Sequence, residues 1–261
     1  MALLLSVLEQ GMIYGILALG VYITYKILDF PDLTVDGSFP FGAAITVRLI
    51  NGFGVPAILT LPIAFLGGAL VGICTGLIHV KLKVRDLLSG IIMMTGLYTI
   101  NLWVAGSGYV AIFDKDNIFN NNFVNSITPD FLVNFKNVII IFLITMVAKY
   151  LLDWYMSTKS GFLLRAVGDN DTIVTSLGVD KGLVKIVGLS IANGLVSLSG
   201  CIYAQQQRSF EISIGTGAVV IGLASVIIGT SLFKKVTFFC VTSSVVVGSI
   251  LYKACVAVAM F

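Results

Sequence analysis

Apolar runs of membrane-spanning length recur along the chain, separated by short polar segments. Leu3 to Leu28, Val55 to about Val80, Leu87 to Ala105, Val138 to Met156, Leu183 to Ala204, Ser213 to Phe233 and Val236 to Phe261 each approach or exceed the roughly 20 residues that a helix needs to cross hydrocarbon. At 57% hydrophobic residues, 11% charged residues and mean hydropathy +1.02, the 261-residue chain lies outside the range of soluble domains. It is expected to be all-α: a polytopic membrane protein of about eight transmembrane helices in one domain over residues 1–261.

One segment resists that pattern. Asp29 to Pro40 holds three carboxylates, two prolines and a glycine in twelve positions, so no continuous helix is expected to pass through it. The apolar run after it, Phe39 to Ile50, would be only about 18 Å long as a helix, too short to cross unless part of the polar stretch enters the membrane. A broken or re-entrant segment is therefore predicted near residues 29–50. Non-helical backbone at that depth is tolerated only when buried in protein or lining a wet cavity. This puts Asp36, Gly37 and Ser38 at the edge of a path through the bilayer.

Charge sets the orientation. Basic residues cluster at 81–85, at 149–185 and at Lys234-Lys235, alternating with an Asn-rich loop near 106–137 and a Gln-rich one at 205–207, so the basic loops read as cytoplasmic from residue 55 onward. Eight full crossings would place the N-terminus outside and a re-entrant segment would place it inside. Residues 3–28 lack a basic n-region and a cleavage site, as expected of a retained span. The net charge of +3 gives a nucleic-acid role no electrostatic support. Cys74, Cys201, Cys240 and Cys255 sit in apolar runs without metal-like spacing and read as small packing residues.

Between the runs Val138 to Met156 and Leu183 to Ala204 lies a polar island, Ser160 to Gly182. Asp169, Asn170 and Asp171 can each cap a helix N-terminus, Ile173, Val174 and Leu177 fall on one face, and Gly178 follows where a left-handed C-terminal residue is expected. A short amphipathic cytoplasmic helix is predicted, which by spacing alone can be a connector lying on the headgroups.

Two segments echo one another. Asp36 to Ala43 and Glu211 to Ala218 each place a serine two residues after an acid, then Gly-Ala, at the opening of a membrane helix. An inverted repeat and chance both account for this in a chain rich in small residues. In the repeat reading, Ser38 and Ser213 cap half-helices whose positive N-termini face an anionic substrate group. Asn101, Trp103, Gln205 and Gln207 can add hydrogen bonds or an aromatic wall to such a path, or serve as ordinary interface residues.

Enzymatic chemistry finds little support. Gly229 to Lys235 lacks the second glycine and Gly-Lys-Ser/Thr ending of a phosphate-binding loop, and the sole histidine, His79, has no local metal partner. No catalytic and no metal-binding residues are assigned.

Arg165-Ala166-Val167-Gly168-Asp169-Asn170-Asp171 with Leu177-Gly178-Val179 resembles the cytoplasmic coupling loop of ABC importer permeases of the branched-chain amino-acid and ribose type. Thr172, Ile173, Val174 and Thr175 stand where alanines are usual in that family. Asp32 to Ser38, Gly194 to Gly200 and Ala204-Gln205-Gln206-Gln207 resemble a subgroup assigned to uptake of tryptophan or related amino acids. The resemblance implies an importer subunit in the plasma (inner) membrane of a bacterium, with Arg165, Asp169, Asn170, Asp171, Thr172, Leu177 and Gly178 facing an ATPase. It further implies a homodimer, two ATP-binding cassette subunits that hold ATP and Mg, an extracytoplasmic substrate-binding protein and a small-molecule cargo. An amino acid is the favoured cargo, with a nucleoside or other small solute second. A stand-alone secondary carrier or channel is the rival of a different class, and the clear spans lack the mid-span carboxylates such a carrier would use.

Overall fold

The computed structural model describes residues 2–113, 115–120, 135–176, 178–234 and 240–259. Its frame is helical: α1 (Ala2–Val21), α2 (Val35–Phe53), α3 (Thr60–Lys81), α4 (Asp86–Ala105), α5 (Lys136–Met156), α6 (Lys159–Asp169), α7 (Asp171–Ser176), α8 (Lys181–Gln207), α9 (Ala218–Leu232) and α10 (Val241–Ala259). Two three-residue strands, β1 (Tyr109–Ala111) and β2 (Ser209–Glu211), pair antiparallel with Val110 opposite Phe210. Seven helical stretches among the described residues are long and apolar enough to cross a membrane. They correspond to the seven apolar runs read from the sequence.

The eighth crossing is α2, whose first turns carry Asp36, Gly37 and Ser38 and so dilute its hydropathy. The helix resumes at Val35, four residues before the apolar run begins, which lengthens it to 19 residues. Its ends meet opposite sides of the bundle. Leu33 lies against Gly90 near the start of α4, while Asn51 Nδ2 donates to the Ala111 carbonyl of β1 over 3.2 Å. The segment near 29–50 is thus a broken crossing rather than a re-entrant hairpin.

The long helix α8 is the hub, packed against α1, α2 and α3. Helices in lipid gain nothing from burying apolar surface against one another, so their packing depends on close backbone approach at small residues. A Cβ on Gly72 would fall 2.2 Å from the Leu189 carbonyl oxygen, and one on Gly42 would fall 1.8 Å from that of Ser197. Substitution at either glycine would force α3 or α2 away from α8.

Helix α1 ends on the basic side. Its last turn widens into a π-helix, Tyr22–Ile27, a form often found where a helix serves function. Gly168 of α6 packs on the Ile27 carbonyl, and Gly188 near the start of α8 packs on Leu28. With the basic loops inside, α1 therefore starts outside, consistent with eight passes.

Candidate functional site

Between α1 and α2 the chain leaves helical geometry. Asp29 turns it with a left-handed φ of 50°, and Phe30 folds back so that its ring meets His79 edge-on at 5.1 Å. His79 thereby packs against the break, and its Nδ1 lies 2.9 Å from the Val84 carbonyl. The next residues bury a polar cluster that joins three helices. Asp32, only 4% exposed, accepts the Thr34 backbone N–H on Oδ1 (2.8 Å) and Nδ2–H of Asn193 in α8 on Oδ2 (2.8 Å). Ser38 donates its hydroxyl to Asn193 Oδ1 at 2.6 Å, and the Thr34 hydroxyl meets that of Thr75 in α3 at 3.1 Å. A carboxylate this deep is tolerated because donors ring it. Among the described residues it has no cationic partner within ion-pair distance.

Asp36 takes another role. Its Oδ1 accepts the Val219 backbone N–H at 2.8 Å and its Oδ2 that of Gly217 at 3.2 Å, so a side chain from α2 caps the opening of α9. Free N–H groups at a helix N-terminus favour an anion, and here a distant residue supplies it. Pro40, lacking an N–H, leaves the Asp36 carbonyl without its helical partner. At that point Gly215 comes in so closely that a Cβ on it would lie 2.0 Å from the carbonyl oxygen.

The two echoing segments therefore meet, but in unlike conformations. The first lies within the opening turns of α2, whereas the second runs through β2, a 3-10 turn at Ile212–Gly215 and the left-handed Gly217 before α9 starts. The capping role expected of Ser38 and Ser213 is corrected: Ser38 bonds to Asn193 and Ser213 donates to the Glu211 carboxylate. Asp36 does the capping instead.

Beside this junction, between α2, α4 and the 212–216 segment, is a cavity of about 210 Å³ whose walls include Asp36, Pro40, Met94, Tyr98, Asn101 and Thr216. Asn101 is 1% exposed and donates Nδ2–H to the Gly37 carbonyl at 3.1 Å, yet its Oδ1 has no partner among the described residues. An unpaired buried amide oxygen costs about 1–3 kcal/mol. A larger cavity of about 630 Å³ between α3, α5 and α8 is lined almost wholly by aliphatic and aromatic side chains such as Leu61, Phe65, Leu151 and Leu195, and offers a polar solute little to hold.

The structure thus brings Asp36 and Asn101 into one cavity and sends the other expected path residues elsewhere. Trp103 is 84% exposed on α4 and does not wall the cavity. Gln205 is buried, but clamps the outer loop, accepting from the Ile118 N–H at 3.1 Å and donating to Thr60 at 2.9 Å. Gln207 is exposed and bonds to Tyr203, and Ser213 is exposed beside Glu211. Asp32 and Asn193 went unrecognised. The signal for Asn193 was a carboxamide in the middle of an apolar run, a placement that demands a buried partner.

On the basic side, the expected single helix is two. Thr158 caps α6 by accepting the Gly161 N–H, so Arg165 and Asp169 lie within that helix, and Asp169 ends it instead of capping the next. Asn170 is the extended residue between them, and Asp171 and Thr172 open α7. Arg165, Asp169 and Asn170 are exposed while Val174 is fully buried. Gly178 takes the left-handed φ of 73° expected of it, and Leu177 lies outside the described residues.

Eight helices of membrane-crossing length, a polar break capped across the bundle and a pair of short helices on the basic side make up a polytopic membrane protein. Residues 3–259 match the family described as branched-chain amino acid transport system, permease component, and the chain belongs to that family. It is 42% identical over 258 residues to a tyrosine transport system permease protein of Clostridioides difficile, covering 98% of this chain and 83% of the relative. It is 26% identical to the probable branched-chain amino acid transport permease protein LivH of Methanocaldococcus jannaschii, covering 82% and 70% of the two chains. It is likewise 26% identical to the ribose import permease protein RbsC of Escherichia coli, covering 87% and 68%. No solved structure matches it. The chain is a multi-pass inner-membrane transport subunit rather than an enzyme, and ATP hydrolysis belongs to a separate subunit.

Proposed function

We propose that this permease imports an amino acid, with an aromatic one such as tyrosine as the leading candidate, as a homodimer driven by two ATPase subunits that hold ATP and Mg and fed by an extracytoplasmic binding protein. The observation that carries the mechanism is the seat of Gly168 on the Ile27 carbonyl, where a Cβ would lie only 1.7 Å from the oxygen. A push on α7 passes through α6 to the end of α1, and from there into the break that Asp32 and Asn193 hold. Packed backbones without a compressible side chain between them transmit displacement with little loss. Closure of the ATPase pair would move α6 and α7, shift the break and change which side of the bundle is open.

The 42% identity to a tyrosine permease supports the cargo class. The ribose permease among the relatives supports a sugar-containing solute, such as a nucleoside, as the second reading. Proteoliposomes carrying the permease, its ATPase subunits and its binding protein test this. ATP-dependent accumulation of labelled L-tyrosine is expected, and accumulation of ribose or a nucleoside in its place would overturn the cargo class.

A further inference from the structure

We propose that the cavity beside Asp36 binds the primary ammonium group of the cargo inside the membrane, with Asn101 Oδ1 and the Asp36 carboxylate as its two acceptors. This rests on the amino-acid reading above and adds a site to it. The first observation is the orphaned oxygen of Asn101, which lies behind the wall that Asn101 gives the cavity and is closed to water in this conformation, so a small turn of the side chain has to bring it to the ligand. Turning the amide over would not relieve it, because the oxygen would then face the Gly37 carbonyl and the N–H groups would be left without a partner; the bond to Gly37 fixes the orientation. A buried acceptor left unpaired in a native protein calls for a physical explanation, and a bound ion or charged ligand is one.

The second observation is the company it keeps. Asp36 contributes a carboxylate to the same cavity, and capping Gly217 and Val219 uses one acceptor position on each oxygen, leaving others free. Among the described residues, no lysine, arginine or histidine lines the cavity. Two acceptors and no resident cation suit a ligand that brings several N–H donors and a positive charge, which a primary ammonium does. Pro40, Met94 and Tyr98 supply an apolar and aromatic wall for the rest of the molecule. Tyr98 and Thr216 are exposed, so the cavity opens at the surface of the chain. Its volume of about 210 Å³ is below that of drug-sized sites and suits one small metabolite.

The test is direct binding to the purified full-length permease in nanodiscs, by ligand-observed NMR, with three probes up to their solubility limits: L-tyrosine, tyramine, and 3-(4-hydroxyphenyl)propanoate, which lacks the amine. L-tyrosine and tyramine are expected to bind and the propanoate not to. Asn101→Leu removes the acceptor and should weaken both amines about tenfold or more. Asn101→Gln keeps both an acceptor and an N–H donor for the Gly37 carbonyl and should bind the amines more tightly than Asn101→Leu, which separates loss of the acceptor from a general disturbance of α4. Equal binding of the propanoate, absence of amine binding to the wild type, or unchanged binding in Asn101→Leu would overturn the site. Uptake of L-tyrosine by the complete assembly reports separately on the importer reading, so the site can fail while that reading stands.

Discussion

Asn193 reaches Asp32 across 161 positions of sequence, its Nδ2 2.8 Å from the carboxylate in a fully buried pocket between α8 and the start of α2. That one contact ties the hub helix to the only non-helical backbone between the first two crossings. Asn193→Leu would leave the carboxylate short of a donor and free the Ser38 hydroxyl. A loss of about 2–3 kcal/mol is expected, read as a lowered midpoint of thermal unfolding in detergent. Asp32→Asn should cost a comparable amount, because either orientation of the new amide sets an N–H against the Thr34 N–H or the Asn193 Nδ2–H, and the Asn193 amide cannot turn over without setting its oxygen against the Leu189 carbonyl. Stability unchanged by Asp32→Asn would contradict this network.

Removing the acid that caps α9 gives a second prediction. Asp36→Ala strips the acceptor from the Val219 and Gly217 N–H groups and should destabilise the protein by about 1–2 kcal/mol. Asp36→Asn keeps one carbonyl oxygen for capping and should recover part of that. Hydrogen exchange localised to residues 217–221 is the readout, with protection falling in the alanine variant and partly returning in the asparagine one.

Two glycines of the cytoplasmic element should behave oppositely on substitution. Gly168→Ala forces a methyl into the Ile27 carbonyl and should displace α6 from α1, costing about 1–3 kcal/mol and lowering uptake. Gly178→Ala meets open space but must hold a φ of 73°, so it should cost about 1–2 kcal/mol through the backbone alone while uptake persists. Uptake and unfolding measured on both variants distinguish a contact that transmits movement from a local backbone cost.

The crossings were legible because a bilayer imposes one length on every apolar run, and the break was legible because Asp29 to Pro40 cannot continue a helix. What the sequence hid was partnership. It placed Asp36 and Ser38 at a helix opening but could not show that Asp36 serves a helix 183 positions away, or that Ser38 points to Asn193. Those distant partners are why α2 can begin at Val35 with Ser38 buried and Asp36 half-buried, earlier than hydropathy suggested. On the cytoplasmic side, the run of Asp169, Asn170 and Asp171 offered three possible caps. Thr158 had already started a helix, so Asp169 became its end. The orphaned oxygen of Asn101 is a property of its surroundings, and residue type alone gives no trace of it.

The account depends on force arriving from outside this chain, through α6 and α7. ATP hydrolysis and L-tyrosine accumulation should therefore be measured together in proteoliposomes of the complete assembly, for the wild type and for a deletion of residues 172–176. The expected result is that the deletion variant inserts normally and its ATPase subunits still hydrolyse ATP, but accumulation is abolished. Accumulation by the deletion variant at the wild-type rate, or by the permease without any ATPase subunit, would contradict it.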